Sequence, residues 1–107
     1  MIVEMRTYTL ALGATGKYFR SYADKGLAVQ KRILGNLVGY YAVESGELNQ
    51  VVHLWAYDTF EDRAARRKAL WSDKEWLAYV AEGGGLVLKQ ENQFLTPAPF
   101  FKVPQAD

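Results

Sequence analysis

The sequence predicts an α+β fold of strand, helix, strand, strand, helix, strand order. Three observations carry the prediction: period-two alternation at the start of the chain, a strong hairpin signal in the middle, and a stretch of helical spacing on either side of that hairpin. At 107 residues, one domain with its own core is the default.

Ile2 to Leu10 alternates between Ile2, Glu4, Arg6, Tyr8, Leu10 and Val3, Met5, Thr7, Thr9, which reads as a first strand. Leu12, Gly13 and Ala14 turn the chain, and Thr15 can cap the next helix. Phe19, Tyr22, Ala23, Gly26, Leu27 and Gln30 follow helical spacing, so the first helix should run from about Thr15 to Ile33 and end at Gly35 and Asn36. Leu37 to Glu44, a turn at Ser45, Gly46 and Glu47, and Asn49 to Tyr57 make the hairpin. Asp58 followed by Glu61 has the form of a reciprocal N-cap for a helix from Phe60 to Trp71. Ser72 and Glu75 repeat it for a shorter helix through Ala81, which Gly83, Gly84 and Gly85 stop. Leu86 to Leu95 supplies the last strand, and Pro97, Pro99 and Pro104 prevent further regular structure. The domain therefore spans 1–97, and 98–107 is a tail that is ordered only where it docks.

This order is the split βαβ arrangement of the ferredoxin-like fold, an antiparallel sheet with helices on one face. The third strand shows Val52, Leu54, Ala56 on one side and Val51, His53, Trp55, Tyr57 on the other, and neither side is polar. A sheet with one wet face should show a polar side. The helices can cover one face, and an uncovered Tyr8, Trp55 and Tyr57 would form a large apolar patch. The simplest cover is the sheet of a second copy, so a homodimer with a barrel-like space between two sheets is expected.

Composition narrows the function. Thirteen Lys and Arg against twelve Asp and Glu leave a net charge of +1, so no global field draws in nucleic acid, an anionic membrane or an acidic substrate. With no cysteine there is no disulfide, thiol nucleophile or thiolate metal site. Glu4 and Arg6 interrupt the first apolar residues as no signal peptide would, and no run approaches about 18 apolar residues. A cytoplasmic protein with no membrane partner is expected.

Gly46, Glu47, Leu48, Asn49, Gln50, Val51, Val52, His53, Leu54, Trp55, Ala56, Tyr57, continuing through Asp58, Thr59, Phe60, Glu61, Asp62, Arg63, Ala64, Ala65, Arg66 and Arg67, resembles the signature of the NIPSNAP family. The opening Glu4, Met5, Arg6, Thr7, Tyr8 and the closing Gln90, Glu91, Asn92 and Pro97 resemble that family too. The resemblance implies a dimeric α+β barrel. Animal members of the family are mitochondrial, carry two such domains and have been linked to vesicle transport and organelle clearance. This chain shows one domain and no Arg-rich leader, so it resembles the short bacterial type, and those roles are not expected of it.

His53 is the sole histidine, which excludes a zinc site of several His or Cys within one chain, although a dimer could offer one imidazole from each copy. If the first strand lies beside the third, His53 and Trp55 converge with Arg6 and Tyr8, and Tyr40 of the hairpin joins them. Apolar walls with a few polar groups are the composition of a small-ligand pocket. There His53 could act as general acid or base, and Arg6 could hold an anionic or enolate oxygen. The alternative is a hydrogen-bonded core histidine. Burial beside Arg6 would lower its pKa, and a facing Glu4 would raise it. Glu4 and Arg6 could pair with each other or across a dimer axis. Arg63, Arg66, Arg67 and Lys68 read as a solvated face balanced by Glu61 and Asp62, or else as phosphate contacts. The alternating aromatics of the third strand suggest an RRM, but the basic-Gly-aromatic pattern and the charge of one are absent. Gly83 to Gly85 follows a helix and lacks the Lys of a phosphate loop. Tyr18, Phe19 and Tyr22 sit at core spacing.

The favoured function is a homodimeric domain binding a small molecule through Arg6, Tyr8, Tyr40, His53 and Trp55, with no cofactor. The alternatives are a cofactor-free monooxygenase or isomerase acting on an activated carbonyl or phenolic compound, and an interaction module whose barrel is filled by its own side chains.

Overall fold

The computed structural model describes residues 1–83 and 85–106. The elements are β1 (Ile2–Leu10), α1 (Thr15–Ser21), a π-helical turn (Tyr22–Gly26), α2 (Leu27–Leu34), β2 (Asn36–Ala42), β3 (Gln50–Tyr57), α3 (Phe60–Leu70), α4 (Lys74–Glu82) and β4 (Val87–Leu95). The strands form one antiparallel sheet in the order β2-β3-β1-β4, which is the expected ferredoxin-like α+β fold.

Several local signals act one residue away from where the sequence suggests. Thr59, not Asp58, caps α3: its hydroxyl accepts from the Asp62 amide at 2.9 Å, and the Asp62 carboxylate accepts from the Asp58 amide at 3.4 Å. Asp73, not Ser72, caps α4 by accepting from the Trp76 amide at 3.0 Å. Thr15 caps nothing, since Ala14 holds the N-cap position of α1 without a side-chain bond. The first helical stretch reaches Leu34 but contains the π turn, a widening that often marks a functional position. Of the glycines that follow α4, Gly84 lies outside the described residues.

The main departure concerns the two faces of the sheet. Val51, His53, Trp55 and Tyr57 are buried under the helices, against Tyr18, Tyr22, Val29, Leu34, Leu70, Trp76 and Tyr79. The face expected to meet a second copy is therefore the inner face of a single chain. The opposite face carries Val3 and Ala56, covered by Val103 of the C-terminal segment, with Val38 and Leu54 beside them. Asn36 Nδ2 donates to the Pro104 carbonyl at 2.9 Å and ties that segment to β2. The period of two says which residues share a face and leaves open which face the helices choose.

Candidate functional site

His53 sits in the middle of the inner face. Arg6 lies opposite it on β1 and Tyr40 opposite it on β2. Tyr40 faces inward because of a bulge: Leu37, Val38 and Gly39 occupy the length of Trp55 and Leu54, so Leu37 and Tyr40 fall on the same side. The Tyr40 ring stacks on the imidazole with centroids 4.5 Å apart and planes 10° from parallel, and Tyr8 meets it edge-on at 4.7 Å. The Tyr18 and Tyr40 hydroxyls share a hydrogen bond of 2.7 Å, which fixes the stacked ring from behind.

Trp55 Nε1 donates to His53 Nδ1 at 2.7 Å. A neutral imidazole whose Nδ1 accepts carries its proton on Nε2, and that nitrogen is buried without a partner. Burial first, and then the charge of Arg6, push the His53 pKa down to about 3. At neutral pH the residue is an uncharged hydrogen-bond donor.

Beside it lies a cavity of about 190 Å³, more than ten times the roughly 15 Å³ that one water needs. His53, Tyr8, Tyr18, Gln30, Trp71, Trp76, Tyr79 and Gln90 are among its walls, which are closed by Ser21, Val80, Leu86, Val87 and the flanking glycines 83 and 85. Trp76 Nε1 is a second buried nitrogen without a partner. No described wall residue is charged at neutral pH: burial raises the phenol of Tyr18, and that of Tyr79 to about 12.

Of the five residues proposed from sequence to contact a ligand, Tyr8 and His53 line this space. Tyr40 and Trp55 hold His53 from behind and do not reach the cavity wall. Arg6 is occupied elsewhere: its Nη1 donates to Glu4 at 3.0 Å and its Nε to the Tyr8 hydroxyl at 3.1 Å. Sequence reasoning missed Trp76, Tyr79, Gln30 and Gln90, and set Tyr18 aside as core. The i, i+3 spacing of Trp76 and Tyr79 on α4 was the available signal for an inward aromatic face.

The basic cluster of α3 is a solvated face only in part: Lys68 is exposed, while Arg63, Arg66 and Arg67 are half-buried. Arg63 grips Glu4 in a bidentate pair, Nε to Oε1 at 2.9 Å and Nη2 to Oε2 at 2.8 Å, and Asn92 adds a third partner at 2.8 Å. Burial would raise the Glu4 pKa, but the bonds from Arg63 and Asn92 and the charges of Arg6 and Arg63 outweigh it and hold the carboxyl at about 2. Arg66 bonds Asp62 at 2.9 Å and the Ile33 carbonyl at 3.1 Å, near the exposed end of α2. Arg67 is half-buried, and burial and the neighbouring Arg6 lower its pKa. Among the described residues no group of His, Asp and Glu could hold a metal ion, and no helix is long and apolar enough to cross a membrane.

The NIPSNAP family model matches residues 3–102. The chain belongs to the NIPSNAP family. Its sequence is 33 % identical over 102 residues to mouse NipSnap homolog 3B, covering 94 % of this chain and 40 % of that protein. Human NipSnap homolog 3A matches to the same extent, so the chain spans about two-fifths of the length of these relatives. A NIPSNAP family protein of Agrobacterium tumefaciens, described as of unknown function, superposes with a TM-score of 0.93 at 39 % identity, over 97 % of this chain and 94 % of that one. A NIPSNAP-like domain protein of Burkholderia xenovorans gives the same score and identity over 97 % and 91 %. A protein of Nitrosomonas europaea described as an antibiotic biosynthesis monooxygenase shares the fold alone, with a TM-score of 0.65 at 12 % identity.

Proposed function

We propose that this NIPSNAP domain binds a small molecule in the cavity beside His53, within each subunit of a homodimer. The observation that carries the proposal is a cavity of about 190 Å³ lined by His53 and Trp76, each of which also carries a buried N–H with no partner. Proteins seldom leave such donors unmade, because each is destabilising unless water or a ligand meets it. An interior filled by its own side chains does not fit that space. A general base needs a pKa near the working pH, and burial pulls His53 down to about 3, which favours recognition over proton transfer as its role.

The dimer belongs to the same proposal and now rests on the other face of the sheet. Met5, Val38, Val52 and Leu54 are only half-buried there, and Tyr41 beside them is exposed. A second sheet packed on them would cover the apolar surface that Val103 reaches only at one end.

Two measurements test the reading. Titration of a library of one-ring aromatic fragments, followed by the ring N–H resonances of His53 and Trp76, should reveal binders that shift both signals; a library that shifts neither refutes the site. Sedimentation at micromolar concentration should give a dimer, with Leu54→Asp giving monomers. A stable wild-type monomer would remove the dimer and leave the cavity untouched.

A further inference from the structure

We infer that the cavity selects an uncharged, flat molecule presenting oxygen acceptors, a ketone or related carbonyl compound, over carboxylates, amines and plain hydrocarbons. The inference rests on the binding function above and adds the chemical class of the ligand.

Donor chemistry is the first support. With His53 Nδ1 taken by Trp55 Nε1, the buried unpartnered nitrogens of two residues that line the cavity, His53 Nε2 and Trp76 Nε1, can only donate. Tyr8, whose oxygen accepts from Arg6 Nε, still carries a hydroxyl proton to give. Each of these donors calls for an acceptor, which a carbonyl oxygen provides.

Charge is the second. A carboxylate entering the cavity would leave water without finding a counter-charge on the described walls. Arg6 is bound to Glu4, and neither Arg6 nor Arg67 is in the wall. An ammonium ligand would be desolvated in the same way, with no carboxylate on the described walls to meet it.

Shape is the third. Tyr8, Tyr18, Trp71, Trp76 and Tyr79 give the space aromatic walls, against which a flat ring packs face-on or edge-on.

The test uses four one-ring probes of similar size: acetophenone, ethylbenzene, benzoate and benzylamine. Calorimetric titration of the wild-type protein should show acetophenone binding at least tenfold more tightly than the other three. Acetophenone should also shift the N–H resonances of both His53 and Trp76, and Trp76→Phe should reduce its advantage over ethylbenzene several-fold. Should that variant not fold, the wild-type resonances decide: acetophenone bound without moving them overturns the inference. Equal binding of acetophenone and ethylbenzene, or a preference for benzoate or benzylamine, overturns the ligand class and leaves the binding function standing. If neither these probes nor the fragment library occupies the cavity, the binding function fails and the class with it.

Discussion

Two polar groups lie buried under the same helices, a strand apart, and they are finished differently. Glu4, with no exposed surface, has both oxygens taken: Oε1 by Arg63, Oε2 by Arg6, Arg63 and Asn92. His53, 1 % exposed, has one nitrogen taken by Trp55 and the other buried without a partner, on a residue that lines a cavity. A fully satisfied network rigidifies and fixes how elements dock. In the proposed function, a network left short of one partner beside a cavity takes that partner from outside. The contrast separates the charge cluster that joins α3 to the sheet from the group proposed to meet a ligand.

Breaking the satisfied side should have the largest effect. Glu4→Gln leaves Arg6 and Arg63 without their counter-charge in a dry site, and the expected loss in urea unfolding is about 3–5 kcal/mol. A loss below about 1 kcal/mol would mean that water reaches the cluster.

Acid should dismantle the two regions in sequence. An imidazole held at about 3 when folded titrates near 6.5 when unfolded. Between those values the unfolded chain binds the extra proton, so stability falls as the pH drops below about 6.5. Glu4, at about 2 when folded and 4.5 otherwise, contributes stability that is present above pH 4.5 and lost as the pH falls toward 2, about 3 kcal/mol in all. In His53→Gln the first loss should vanish and the onset move down toward pH 4.5. An unchanged onset would place the imidazole in water.

At neutral pH, His53→Gln should cost no more than about 2 kcal/mol, since the amide oxygen can still accept from Trp55 Nε1. Fragment binding should be lost while the fold survives. Unfolding of the variant would make the histidine a structural residue after all. The smallest effect is on α3: Arg66→Gln removes bonds to Asp62 and the Ile33 carbonyl, and should cost about 1 kcal/mol, measurable as a shifted urea midpoint. A change within about 0.5 kcal/mol would return Arg66 to the solvated face that its neighbours suggest.

The order of elements was legible because strand alternation and helix caps are local. The site was legible in part. His53 and Tyr8 could be grouped because register follows from two neighbouring strands. The face they occupy could not be read, since β3 is apolar on both sides and periodicity carries no label for the helix side. Arg63 looked solvated beside Glu61 and Asp62; its true partner, Glu4, is 59 residues away in sequence. Tyr40 was placed beside His53 but as a ligand contact, whereas it stacks on the imidazole away from the cavity wall; the one mark of the bulge that turns it inward is Gly39 within the strand, which the alternation alone does not decode.

Gly26, inside the π turn, is not a lining residue of the cavity, yet it bears on the room inside it. A methyl group there would stand 2.8 Å from Tyr22 and 3.0 Å from Tyr79, closer than carbon atoms tolerate. Tyr79 is a cavity wall, so any side chain at this position must push it aside. The room in the cavity is thus limited by an atom the chain does not have, at a position that a survey of lining residues would pass over. Among related domains, a change from glycine to alanine here would resize the cavity without replacing a single lining residue.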